Sequence, residues 1–190
     1  MLKNLAYKIT CYIENNSDIK SKDDLEKIHY SLQAILNETF KIIVLTVLFL
    51  FLGKINYFLF SMTILFSIRI FSGGYHADTT IKCLLWTTLF FLITSLLAPM
   101  LPKLNIFIYS AISLFSIIIV YFRTPYPNTK RQVKNKKRRW YFKLISAFFI
   151  TFWVIILLLF INNTGYLNCG FLTILLQILQ LVPIKKGVLA

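Results

Sequence analysis

LLWTTLFFLITSLLAPML, residues Leu84 to Leu101, runs for eighteen positions without a charged side chain. A membrane-spanning helix takes roughly 20 predominantly apolar residues and about 17 suffice, so this run reads as a span on its own. Ile106–Phe122, Leu144–Ile161 and Tyr166–Val182 are of the same kind. Two shorter runs precede them, Ile42–Leu52 and Ile55–Ile68. At their own length these fall short of a bilayer, so they extend into flanking sequence, form a re-entrant hairpin or thin the bilayer locally. The expected fold is all-α and polytopic, with about six membrane helices, four of full length and two short.

Composition agrees. The 190 residues are 57% hydrophobic and 16% aromatic, with a mean hydropathy of +0.69. A soluble domain of that size would need far more polar covering than the last 150 or so residues supply. The lipid bilayer is therefore the expected surrounding, and nucleic acid is not an expected partner.

Residues 1–40 differ from the rest, holding six of the seven acids. They read as two amphipathic helices broken near Asn15–Ser21. Leu2, Leu5, Ile9, Tyr12 and Ile13 line one face of the first, which suits the headgroup layer. Leu25, Ile28, Leu32, Ile35, Leu36 and Phe40 recur at helical spacing in the second, which can run straight into the first apolar run. The expected division is thus residues 1–40 as cytoplasmic or interfacial helices and 41–190 as a membrane domain. The first twenty residues lack a continuous apolar stretch ending in small residues, so insertion is expected to rely on the internal runs.

Orientation follows from the cations. Between Arg123 and Lys143 lie Arg123, Lys130, Arg131, Lys134, Lys136, Lys137, Arg138, Arg139 and Lys143, with no acid. The positive-inside rule puts that loop in the cytoplasm of a multi-pass cell-membrane protein. Six crossings threaded from this anchor place both termini and the loop at residues 69–83 on the same cytoplasmic side.

That loop, in RIFSGGYHADTTIKCLLW from Arg69 to Trp86, holds one of only two histidines and one of only three cysteines. A thiol attacks a carbonyl as the thiolate, and near pH 7 it needs a base or a cationic setting to become one. His76 is the available base for Cys83. Asp78, Thr79 or Thr80 can cap the helix entering the next apolar run, setting Cys83 in its first turns, where the helix dipole and Lys82 favour a negative sulfur. Gly73 and Gly74 allow the His76 segment to fold back onto the thiol. Arg69, at the end of an apolar run, is costly there without a partner or a function. Plainer readings stand beside these: Arg69 snorkels to phosphates, Asp78 only caps a helix, and the basic loop only sets topology. His29, His76, Cys11 and Cys83 lack the paired close spacing of a structural zinc site, so no metal or other cofactor is expected. Cys11 and Cys169 read as incidental thiols.

These residues, taken in register, resemble the AgrB family of accessory gene regulator membrane peptidases. The features are SLQAI with Gln33, Arg69 seven residues before His76, Gly74 before the YHA tripeptide, Cys83 seven after His76, RTPYPN followed by a lysine and arginine cluster, and a proline-isoleucine pair followed by Lys185 and Lys186. The resemblance covers nearly the whole chain. It implies a cysteine endopeptidase with Cys83 as nucleophile and His76 as base, acting on an AgrD-like propeptide of a quorum-sensing system. It further implies a thioester acyl-enzyme that is transferred to a thiol or hydroxyl within the peptide, closing a thiolactone or lactone ring. Gln33 and Arg69 fall at positions the family needs, and with Gly74 they are carried over as supporting residues rather than as chemistry. Asp78 is outside the family pattern, so the implied site is a dyad. The released tail of such precursors is acidic, which gives Lys130, Arg131, Lys134, Lys136, Lys137, Arg138 and Arg139 a docking role beside their topological one. Family members self-associate, which implies a homodimer as an arrangement open to this chain. The competing class is a non-catalytic exporter or peptide-binding membrane protein, for which a thiol beside a histidine has no use.

Overall fold

A computed structural model describes residues 2–17, 21–74, 80–126 and 135–182. Every element among them is helical: α1 (Leu2–Asn16), α2 (Lys22–Phe51), α3 (Ile55–Ser72), α4 (Thr80–Leu92), α5 (Ile106–Arg123), α6 (Lys136–Leu159) and α7 (Thr164–Leu179). Five helical stretches are long and apolar enough to cross a membrane, Lys22–Phe51, Ile55–Ser72, Ile81–Met100, Ile106–Arg123 and Lys136–Leu159, and α7 is a shorter apolar helix. The chain is an all-helical membrane protein.

It divides into two compact units, residues 1–52 and 53–190. In the first, α2 is one unbroken helix of 30 residues. The second amphipathic segment and the first apolar run are thus a single element, because no glycine or proline intervenes between Asp23 and Phe51. That continuity supplies the length Ile42–Leu52 lacks by itself. α1 packs on α2 through its small residues. Ala6 and Thr10 are buried, while Leu5 and Tyr12 of the expected apolar face stand 45% and 68% exposed. Small side chains let two helix backbones approach, and the larger ones are left at the margins. Thr10 Oγ1 donates to the Ala6 carbonyl (2.9 Å) and lies 3.4 Å from His29 Nδ1. The Tyr7 ring meets His29 edge-on.

The second unit is built around α7. This helix is only 16 residues long, about 24 Å at the usual helical rise, yet it is the most enclosed element. α3, α5 and α6 pack against it, as do the turns that end α4. Ile174 and Ile178 of α7, Ile64 and Ile68 of α3, Tyr109 and Val120 of α5, and Ile150 and Leu157 of α6 form one buried cluster. A Cβ on Gly170 would run into the Leu157 side chain, so the closest approach of α6 and α7 uses that glycine.

α4 does not end cleanly. A π turn (Ile93–Leu97) and a 3-10 turn (Ala98–Met100) continue it. Pro99 is the cause: it has no N–H for the Ser95 carbonyl four residues back, and its ring crowds that carbonyl, so the helix widens just before it. Phe91 of this helix meets Phe58 of α3 at 4.8 Å between ring centroids.

Polar groups buried in such a bundle are costly unless paired within it; among the described residues Ser95 Oγ, Thr124 Oγ1 and Gln177 Oε1 are left without a partner. At the Asn163 end of α7, Asn168 Nδ2 donates to the carbonyls of Leu101 (2.9 Å) and Pro102 (3.2 Å). Its Oδ1 accepts from Tyr109 Oη, which in turn accepts from the Leu104 N–H (3.1 Å). Midway, Ser61 Oγ lies 2.9 Å from Thr173 Oγ1 and 3.1 Å from Cys169 Sγ. Trp153 Nε1 ties α6 to α3 through Ser67 Oγ at 2.7 Å.

Candidate active site

The ends of α3, α5 and α7 meet at one pole of the second unit. Tyr126, just past α5, donates its N–H to the Ser72 carbonyl (3.0 Å). Gln177 of α7 donates from Nε2 to the Gly73 carbonyl (2.8 Å) and to Ser72 Oγ (3.2 Å). Arg69 Nη1, in the last turn of α3, donates to Gln180 Oε1 (2.8 Å). Gly73 ends the helix with φ +74°, a conformation that other residues take only under strain. A Cβ there would also meet the Tyr126 Cβ at 3.2 Å, and one on Gly74 would sit 3.4 Å from Arg69 Cζ. The guanidinium therefore lies flat against the Gly74 backbone. Arg69 thus has a partner in Gln180, and it packs against Gly74.

Cys83 is the fourth residue of α4, in its first turn. It is half-buried and, like Cys11 and Cys169, a thiol rather than half of a disulfide. Its carbonyl accepts from Thr87 Oγ1 (2.8 Å), and Thr88 Oγ1 bonds back to Leu84 in the same way, which leaves neither hydroxyl dependent on solvent. α4 is described from Thr80, and the capping candidates Asp78 and Thr79 lie outside the described residues. His76 and Asp78 lie outside the described residues, so the site's described half is the clamp at residues 69–74 and the helix that carries Cys83.

Gln33 is half-buried within α2, in the first unit. Of the basic cluster, Lys136, Lys137, Arg138 and Arg139 are exposed on the first turn of α6, while Lys130, Arg131 and Lys134 fall outside the described residues. Asn135 caps that turn by accepting from the Lys137 N–H (2.9 Å). Four cations at a helix N-terminus oppose the dipole, each by about 0.3–1 kcal/mol when exposed. No acid stands in that turn to offset them, so local helix stability is not what they serve. Among the described residues no group of three or more His, Cys, Asp or Glu is arranged to hold a metal ion.

The sequence reading did not single out Gln177 and Gln180. The signal was available: two amides three residues apart in the otherwise apolar TILLQILQLV, and polar groups inside a membrane bundle are costly enough to mark a site.

The family model for accessory gene regulator B, AgrB, matches residues 6–181, from α1 through the end of α7. A protein of Clostridium beijerinckii named as AgrB-like is 38% identical over 190 residues, covering 100% of this chain and 93% of that protein. No solved structure matches. With the family's model spanning both units and a relative aligned from end to end, the chain belongs to the AgrB family.

Proposed function

We propose that this protein is a membrane cysteine endopeptidase that cleaves a quorum-sensing propeptide and passes the acyl group on to close a ring. Family membership supports a role in the processing of such peptides. The observation that carries the finer reading is Cys83 itself, a half-buried thiol in the first turn of a helix, seven residues beyond the histidine.

In this reading His76 takes the Cys83 proton and the thiolate attacks the scissile carbonyl. The C–N bond breaks, the departing amine takes the proton from the imidazolium, and the acyl group stays on Sγ as a thioester. A thiol or hydroxyl inside the same peptide then attacks that carbonyl, the C–S bond breaks, and Cys83 is regenerated as the cyclic product leaves. Tethering favours the internal nucleophile over water, because effective concentrations for well-oriented intramolecular attack reach about 10⁵ M or more. A thioester keeps the activation that ring closure needs, whereas hydrolysis discards it. The exposed cations of α6 offer an acidic precursor tail a surface on the cytoplasmic side, the orientation the positive-inside rule assigns.

The test is cleavage of a co-expressed precursor with an internal cysteine and an acidic tail. Cys83→Ala and His76→Ala should each abolish cleavage while the protein still inserts, since neither change removes packed apolar surface. Cys11→Ala with Cys169→Ala should leave cleavage in place. Cleavage by the Cys83→Ala protein would overturn the assignment.

A further inference from the structure

We infer that Lys136 and Lys137, set one turn above Trp140 and Tyr141, form a binding site for the headgroup of an anionic phospholipid at the start of α6. The site is independent of the thiol chemistry, and it divides the basic cluster between two ligands.

Charge sets the problem. Residues 53–190 contain a single acid, Asp78, so the cations that open α6 have almost no counter-charge within their own unit. They also stand where the helix dipole opposes them. The anion they suit is one supplied from outside the chain.

The side of the helix on which the two lysines stand names that anion. Tyr141, Leu144, Phe148, Phe152, Ile155 and Leu159 recur at spacings of three and four, which is one side of a helix, and all are exposed. The other side carries the buried Ser146, Ile150 and Leu157. In a helix long and apolar enough to cross a bilayer, an exposed stripe of this kind meets acyl chains. Lys137 stands four residues before Tyr141, and Lys136 four before Trp140, and all four side chains are exposed. Lys137 is about 10 Å along the axis from Leu144, where hydrocarbon gives way to headgroups. Tyrosine and tryptophan favour that boundary, and lysines beside it are drawn to anionic lipid.

The neighbouring cations are placed differently. Arg139, though exposed, falls on the side of the buried residues, seven positions before Ser146. The Arg138 guanidinium lies over the Phe142 ring, 5.7 Å from its centroid. Lys143 Nζ lies over the ring of Tyr121 in α5 at 5.3 Å. An acidic peptide in the aqueous phase would meet Arg139 as readily as the lysines. A lipid alone brings a negative headgroup and acyl chains in the line along which Lys137, Tyr141 and the stripe below them run.

The test uses the full-length protein in vesicles, with Trp140 fluorescence as the reporter and the Trp140→Phe protein as its blank. Phosphatidylglycerol with brominated acyl chains, which quench an indole on contact, is mixed with unbrominated phosphatidylcholine, and the converse mixture is measured beside it. At low salt the quenching of Trp140 should correspond to a local enrichment of phosphatidylglycerol of about fivefold or more, and the enrichment should shrink at high salt. Lys136→Gln with Lys137→Gln should bring it to within about twofold of parity, while Arg139→Gln should keep most of it. Parity in the unaltered protein, or an enrichment that neither salt nor the loss of both lysines moves, would overturn the site. A labelled acidic peptide titrated onto the protein in phosphatidylcholine vesicles separates the two ligands. If the two lysine changes abolish its binding and leave the lipid enrichment in place, the lysines serve a peptide and the lipid site is overturned.

Discussion

At the Asn163 end of α7, Asn168 bonds two backbone carbonyls and a tyrosine hydroxyl, whereas at the Gln180 end Gln177 bonds one carbonyl and one serine and its own oxygen has no partner among the described residues. Both are buried amides gripping the turn that follows a neighbouring helix. At the first pole the grip is complete, and the turn it holds, Leu101–Leu104, leads to no group capable of chemistry. At the second it is incomplete, and the turn it holds leads to His76. A fully satisfied polar network rigidifies a fold. A partly satisfied one leaves its pole less tightly held, and Thr124 Oγ1 at the same pole is also buried without a partner among the described residues.

The comparison breaks most visibly if the two amides are interchangeable in effect. Asn168→Leu would leave the Leu101 and Pro102 carbonyls without a donor and the Tyr109 hydroxyl without its acceptor. It is expected to lower stability by about 2–4 kcal/mol, read as the thermal unfolding of detergent-solubilised protein. Cys83 alkylation in the fraction that remains folded should be unchanged. Gln177→Met leaves only the Gly73 carbonyl and the Ser72 hydroxyl without that donor and should cost less, about 1–2 kcal/mol. Equal losses of stability in the two variants would remove the distinction between the poles.

A smaller effect sharpens the chemistry expected at the second pole. Replacing Lys136, Lys137, Arg138 and Arg139 together with glutamine should slow processing of an acidic-tailed precursor by about tenfold at low salt, and by much less at high salt, since exposed pairs are screened and individually weak. A precursor with its tail neutralised should lose little. Topology is checked in parallel by labelling Cys83 from each side of the membrane, because these cations also set orientation. Equal losses for acidic and neutral tails would reduce the cluster to its topological role.

Much of this architecture is legible in the sequence, and the exceptions have physical causes. Uncharged runs announce α4, α5 and α6 because a bilayer demands them, and Pro99 forecasts the distortion that ends α4. The continuity of α2 follows from unbroken helical spacing through Phe40 and the absence of a breaker. What the runs do not disclose is which helix sits at the centre. Leu, Ile and Phe suit lipid and protein neighbours equally, so α7 reads like any other span until Asn168, Thr173 and Gln177 are seen to face inward together. The face of α1 is drawn differently for a related reason: periodicity weights large side chains, while close packing selects Ala6 and Thr10. At the site, the rarity of His76 and Cys83 is visible in composition, and so is Arg69's need for a partner. That the partner is Gln180, 111 positions away, is a fact of tertiary structure alone.

The central claim is that Cys83 carries the acyl group, and intact-protein mass spectrometry tests it most directly. A precursor whose internal cysteine or serine is replaced by alanine can be cleaved but cannot close a ring. Mixed with the wild-type protein and rapidly quenched, it should leave a mass increase equal to the N-terminal fragment's acyl group, located on Cys83 and removed by hydroxylamine. No such adduct should form on Cys83→Ala. Free linear peptide accumulating with no adduct at the earliest quench times would contradict a persistent thioester and make the protein an ordinary hydrolytic peptidase.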